Sequence, residues 1–248
     1  MLTDRDKVRY TRQILLPEIG GKGQERLKGS TVFIAGAGGL GSPVSVYLAC
    51  AGVGHLVICD DGRVELSNLN RQFLHADSRQ DMLKTESAAE ILAALNPDVS
   101  LTLISRRLTE ENAGELVGGA DIIVDCLDNF ETRYVVNRYA VKNSLPFIHA
   151  GIYGMSGQLS FFQPPETACL ACIFPEAPPP EIFPVLGAPV GVIGSLEALE
   201  AVKYLTGCGT VLKNRLLIFN GEEARFDEVT ISRDPACPVC GGLTRGTA

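Results

Sequence analysis

The sequence predicts an α/β protein with a doubly wound sheet, parallel in its N-terminal part and extended by antiparallel strands in its C-terminal part. Three observations carry that prediction. Short β-branched apolar runs alternate with helical patterns up to about residue 150. A glycine-rich turn, Gly36-Ala37-Gly38-Gly39-Leu40-Gly41, lies between the first run and the helical pattern after it. Beyond residue 150 that alternation stops and period-two strands take over.

Taken in order, residues 1–30 are polar and mixed, and read as an arm or short helices on the surface. Thr31–Ala35 is short, apolar and stopped by glycines, so it reads as a buried parallel strand. Ser42–Gly52 has helical spacing and a glycine stop. His55–Asp60 is the next strand. Lys84–Leu95 sets Ala88, Ile91, Leu92 and Leu95 on one helical face. Val99–Ile104 reads as a strand, Thr109–Val117 as a helix and Asp121–Asp125 as a buried strand. Thr132–Asn143 follows as a helix and Pro146–His149 as a strand. Gly157–Gln163 alternates as an antiparallel strand does. Residues 175–191 hold six of the 14 prolines and no helical period, which predicts a long irregular connection, and such loops are often functional. Ser195–Leu205 is an amphipathic helix, and Arg215–Asn220 and Ala224–Ser232 are the last strands.

Composition bounds the function. A chain of 248 residues buries a sizeable core. The net charge is −7 and no Lys/Arg run reaches five residues, which argues against a dedicated nucleic-acid or anionic-membrane binder. Apolar residues make up 46% and charged residues 21%, the balance of a soluble globular protein. No apolar stretch reaches 18 residues and the N-terminus has no apolar signal region, so the expected compartment is the cytoplasm. Eight cysteines in such a chain favour metal ligation or buried thiols over disulfides.

The glycine turn has GxGxxG spacing, which permits a tight bend, close backbone approach to phosphate and close helix–strand packing. With a strand before it and a helix after it, the turn predicts a Rossmann-like nucleotide site. Asp60, ending the next strand, suits a ribose hydroxyl acceptor. NAD, FAD and ATP all fit these features. The polar stretch Ser67–Phe73, with Asn68, Asn70 and Arg71, favours ATP, because a triphosphate needs cations that NAD does not. Lys84 adds a point charge. Asp125 and Asp128, in the DCLDN run ending with Asn129, sit where an acid could take Mg2+ on phosphate oxygens.

Cys169-x-x-Cys172 and Cys237-x-x-Cys240 offer four thiolates, the number a tetrahedral Zn2+ takes. A metal there would clip the C-terminus to the middle of the chain. Cys50, Cys59 and Cys126 read as buried inert thiols, and Cys208, between two glycines, as more exposed. His55, His75 and His149 form no cluster and read as structural.

Together these motifs resemble the ThiF/MoeB/HesA adenylyltransferases, relatives of ubiquitin-activating enzymes. The resemblance runs from about Arg9 to Gly242. It rests on RYTRQIL at 9–15, Gly36–Gly41, Asp60, SNLNRQF at 67–73, KTESA from Lys84, DCLDN at 125–129, GVIGSLEALEAVK at 191–203 and both CxxC pairs. It implies a single domain over 1–248: an arm at 1–30, a nucleotide-binding part at 31–150, and a carrier-binding and zinc part at 151–248. It also implies binding of Mg·ATP and of a small ubiquitin-like sulfur carrier ending in Gly-Gly. The carrier's terminal carboxylate is joined to AMP and pyrophosphate is released. On this resemblance Gly36, Gly38, Gly39 and Gly41 take the phosphates and Asp60 the ribose. Asn68, Asn70, Arg71, Lys84 and Asn129 complete the ATP site, with Asp128 as the essential acid near Mg2+. Arg12 is similar to an arginine that reaches the partner subunit's ATP, which implies a homodimer. The proline-rich connection resembles a crossover that covers the carrier's tail. One departure matters: residues 173–190 contain no Cys. That tilts the expectation toward the molybdopterin-synthase type and away from the thiamine-pathway carrier, with no covalent thiol transfer. An NAD(P)-dependent oxidoreductase is the alternative from another class, and it leaves Arg71, Lys84 and the CxxC pairs without a role.

Overall fold

A computed structural model describes residues 1–179 and 183–243. Residues 180–182 of the proline-rich connection and the tail from Thr244 lie outside the described residues.

One eight-stranded sheet runs in the order β3-β2-β1-β4-β5-β6-β7-β8. Strands β1 (Thr31–Ala35), β2 (His55–Cys59), β3 (Ser100–Ile104), β4 (Ile122–Asp125) and β5 (Phe147–Tyr153) are parallel. Strands β6 (Ser156–Phe162), β7 (Arg215–Asn220) and β8 (Arg225–Thr230) add on antiparallel. β1 lies between β2 and β4, with Phe33 opposite both Val57 and Ile123. The chain leaves β1 toward β2 on one side and later returns to β4 on the other. The carboxyl ends of β1 and β4 therefore flank a topological switch point, where ligands of open α/β sheets bind.

Side-chain alternation along the strands makes two cores. Val32 and Ile34 of β1 face a layer formed by α4 (Gly41–Ala51), α5 (Lys84–Leu95) and α9 (Gly187–Thr206), through Val44, Leu48, Leu92 and Ile193. Phe33 and Ala35 face α6 (Ala113–Val117) and α7 (Phe130–Lys142), through Leu116, Val136 and Ala140.

The structure revises several expectations. The first 30 residues form α1 (Asp4–Arg9), α2 (Thr11–Ile14) and α3 (Gly20–Gly29), and α3 belongs to the body of the protein. Gln24 and Leu27 are buried, and the Gln24 amide donates to the Ala51 carbonyl at 2.9 Å. Helix α9 begins at Gly187, not Ser195. Its first half is masked in sequence by Pro189, tolerated in a first turn, and by Gly194. A Cβ on Gly194 would lie 2.4 Å from Pro43 Cγ, so that glycine lets α9 close on α4. Helix α6 starts at Ala113 rather than Thr109, because Asn112 Oδ1 accepts the Thr109 N–H at 2.8 Å and forms a turn. β5 runs on to Tyr153 because β6 pairs with it along its whole length. The single turn α8 (Leu170–Ile173) inside the first CxxC pair was not expected.

Candidate functional site

The glycine turn leaves β1 at the switch point, and each glycine meets a distinct demand. Gly36 has φ +104°, and a Cβ there would lie 2.6 Å from the Cys126 carbonyl oxygen. Such a backbone favours glycine. A Cβ on Gly41 would sit 2.1 Å from the Gly36 carbonyl oxygen. A Cβ on Gly39 would come 3.0 Å from Val190 of α9. At Gly38 the nearest atom is the Gln72 amide nitrogen, 3.4 Å from that position. No side chain caps the N-terminus of α4. The positive end of its dipole suits an anion.

Asp60 follows β2 and is held by the backbone, Oδ2 accepting from Ala37 N and Oδ1 from Gly62 N, each at 2.8 Å. Lys84 opens α5, its N–H bonded to the Gly62 carbonyl at 3.0 Å. Its side-chain stem passes 3.4 Å from the position of a Cβ on Gly62, the same place that lies 3.0 Å from Asp60 Oδ1. Arg71 lays its stem along Gly39 and donates to the Ser67 carbonyl at 2.9 Å and to Asn70 Oδ1 at 2.8 Å. Asn70 is exposed, whereas Asn68 is buried and accepts the Glu65 N–H at 3.3 Å within a 3₁₀ turn. Asn129 caps α7, accepting the Thr132 N–H at 2.9 Å. Asp128, next to it, is exposed.

These groups come together at the ends of β1, β2 and β4, but Asp125, expected beside Asp128, does not join them, and Arg12, expected at a partner's site, stands apart. Asp125 is fully buried, and its carboxylate accepts from His149 Nδ1 at 2.8 Å and Arg133 Nε at 3.2 Å. Of the two acids proposed for Mg2+, only Asp128 is open to a ligand. Arg12 is exposed on α2. Its neighbour Gln13 bonds the Ala51 carbonyl at 3.0 Å, which places α2 at the far end of α4 from the glycine turn. An 11-residue helix separates those ends by about 16 Å.

Two residues support the turn: His75, read above as structural, and Gln72, which sequence reasoning passed over. His75 is buried between the Ala37 carbonyl, 2.9 Å from Nε2, and Ser87 Oγ, 3.0 Å from Nδ1. Burial holds its pKa below the usual histidine value, so the neutral ring donates from Nε2 to Ala37. Gln72 is buried against Gly38, with Oε1 lacking a partner among the described residues. The signal for Gln72 was its place directly after Arg71.

The four CxxC sulfurs lie within 4.8 Å of one another. The pairs Cys169–Cys172, Cys169–Cys237 and Cys172–Cys240 are 3.9, 3.7 and 3.4 Å apart. A tetrahedron with Zn–S of about 2.3 Å has edges of about 3.8 Å, whereas a disulfide needs about 2.05 Å. The donor set therefore fits Zn2+. Asn137 Nδ2 at 3.7 Å from Cys169 Sγ and Asp234 N at 3.5 Å from Cys172 Sγ add donors to the sulfurs. Among the other thiols, burial pushes Cys59 up to about 12 and Cys126 well above the ordinary range. Cys50 is exposed, against expectation, because it lies on the outer face of α4, and Cys208 is half-buried.

A model of the ThiF family matches residues 10–239. The chain belongs to the ThiF family. It is 43% identical over 246 residues to the sulfur carrier protein ThiS adenylyltransferase of Escherichia coli, covering 97% of this chain and 98% of that one. It is 43% identical to the SAMP-activating enzyme E1 of Haloferax volcanii, covering 94% of this chain and 88% of that one. The adenylyltransferase and sulfurtransferase MOCS3 of Drosophila sechellia is 44% identical over 96% of this chain, which spans 54% of that protein. Among solved structures, the E. coli enzyme MccB with ATP superposes at TM-score 0.84 and 27% identity, over 94% of this chain and 74% of that one. MccB with N-formylated MccA gives TM-score 0.86 and 26% identity, over 94% and 75%. No helix among the described residues is long and apolar enough to cross a membrane.

Proposed function

We propose that this protein uses Mg·ATP to adenylate the C-terminal Gly-Gly carboxylate of a small ubiquitin-like sulfur carrier, releasing pyrophosphate. The observation that carries the proposal is the convergence of a bare glycine turn, Asp60, Arg71, Lys84 and Asp128 on one switch point. The names of the relatives supply the class of reaction and acceptor.

A carboxylate attacking an α-phosphate is already a nucleophile, so the site needs alignment and charge neutralisation more than a general base. Gly36, whose own N–H is taken by the Cys59 carbonyl at 2.8 Å, makes the bend, the turn through Gly38, Gly39 and Gly41 faces the phosphates, and Asp60 holds the ribose. Asn68, Asn70 and Asn129 shape the walls, while Arg71 and Lys84 neutralise the triphosphate. Asp128, an open carboxylate, fits a hard cation and would hold Mg2+, which when bound offsets charge on phosphate oxygens. The Cys169/Cys172/Cys237/Cys240 set would hold Zn2+, which supplies folding energy rather than chemistry. Arg12 stands too far from its own turn to serve there, which supports a homodimer in which it reaches the partner's site. The protein acts in the cytoplasm. The absence of Cys from residues 173–190 supports a molybdopterin-synthase-type carrier and a non-covalently held acyl-adenylate.

Capture of interacting proteins, followed by ATP–pyrophosphate exchange with each, tests the proposal. A small Gly-Gly-ended protein should stimulate exchange, and removing its last two residues should abolish it. Exchange that ignores the carrier would refute the assignment.

A further inference from the structure

The backbone immediately before Asp128 is held from both sides by one buried ion pair. Asp125 Oδ1 accepts the Leu127 N–H at 3.1 Å, while Asp125 Oδ2 takes Arg133 Nε at 3.2 Å. Arg133, on the first turn of α7, donates through Nη2 to the Leu127 carbonyl at 2.6 Å and the Ala150 carbonyl at 2.7 Å. Its guanidinium carbon lies 5.2 Å from the centre of the Phe130 ring. His149 Nδ1 closes the network on Asp125 Oδ2 at 2.8 Å. Both polar groups of Leu127 are thus committed, and its carbonyl belongs to the peptide that joins it to Asp128. Beyond Asp128, the Asn129 cap fixes the chain again.

Stability alone is a poor explanation for this arrangement. A buried ion pair is often matched or bettered by apolar residues of the same volume. Three donors aimed at a carboxylate and two carbonyls require the planar fork of arginine, which lysine lacks. We infer that Arg133 is a positioning residue: together with Asp125 it clamps Leu127 and so fixes where the Asp128 carboxylate stands. The inference rests on the role proposed for Asp128 above.

A double-mutant cycle on the full chain, read by carrier-dependent ATP–pyrophosphate exchange, tests it. Arg133→Lys keeps the charge opposite Asp125 but loses the fork. It should lower kcat about 10-fold to 10²-fold, the scale of a small misplacement, with KM for ATP little changed. Adding Asp128→Ala to that variant should cost less than about threefold beyond Asp128→Ala alone, since the clamp then has nothing to position. Losses that multiply, or a near wild-type kcat in Arg133→Lys, would overturn the inference. Should Arg133→Lys fail to fold, Asp125→Asn keeps the Leu127 acceptor and weakens the hold on Arg133, and the same cycle applies. Full activity in Asp128→Ala alone would instead remove the role of Asp128, and the clamp's purpose with it.

Discussion

At the glycine-turn end of the sheet the charged side chains are at least partly exposed, and Asp60 and Arg71 are held by backbone groups, whereas at the Cys169–Cys240 cluster the ligating atoms are mostly buried and held chiefly by one another. Both regions bring together residues distant in sequence. The first leaves coordination sites open, and the second closes all four positions of a tetrahedron. A site that must bind, react and release keeps unsatisfied donors and acceptors facing solvent. A site that only joins chain segments has no such need. Damage at the two should therefore register in different measurements.

The largest effect should follow from opening the thiol cluster. The purified protein should carry about one Zn2+ per chain, and Cys240→Ser should cost several kcal/mol of stability, because metal-binding energy here is folding energy. Exchange per folded molecule should stay within about threefold of wild type. Elemental analysis and thermal unfolding check both points. A zinc-free chain of undiminished stability, or a native Cys169–Cys172 disulfide by mass, would erase the contrast.

Asp128→Ala should do the reverse. Carrier-dependent exchange should fall by about 10²-fold or more, the scale of one lost preorganised electrostatic contact, while melting temperature and zinc content stay put. A comparable loss of stability would blur the distinction between the two regions.

A smaller effect concerns whether the open site is complete in one chain. Mixing Arg12→Ala with Asp128→Ala subunits should restore up to about a quarter of wild-type exchange. Half the dimers would then be mixed, each with one intact site. Verified subunit exchange without recovery would place Arg12 outside the reaction.

The smallest effect should be at the thiols outside the cluster. A Cys50→Ser/Cys208→Ser variant should retain exchange within about twofold, as surface substitutions away from a site do. Neither it nor the wild type should form a reductant-sensitive adduct with the carrier on non-reducing gels. An adduct lost in this variant would restore a thiol-transfer mechanism.

Much of this was legible in the residues. β1, α5, the glycine turn and Asp60 each carry a local signal: a period, a spacing, or a strand end. So do the paired CxxC motifs, whose sulfurs the fold brings within 4.8 Å. Features fixed by tertiary packing were not legible. The early start of α9 is hidden by Gly194, which serves the contact with α4 and not the helix itself. Asp125 and Asp128 look alike in DCLDN, and only the approach of Arg133 and His149 shows that the first is committed to the interior. Cys50 is one helical position from buried Ala49, and a mean helical pattern does not separate the two.

Asp60 invites a count of valences. An ionised carboxylate has about four acceptor positions. The N–H groups of Ala37 and Gly62 occupy two of them, one on each oxygen. The remainder is about two, the number of hydroxyls a ribose offers on one face. A deoxyribose would leave one of these positions empty in a partly enclosed spot, and a 2′-phosphate would bring an anion against an anion. On the role proposed for Asp60, the bond that stitches β2 to the glycine turn and the local bond from Gly62 together set the stoichiometry of sugar recognition before any nucleotide arrives.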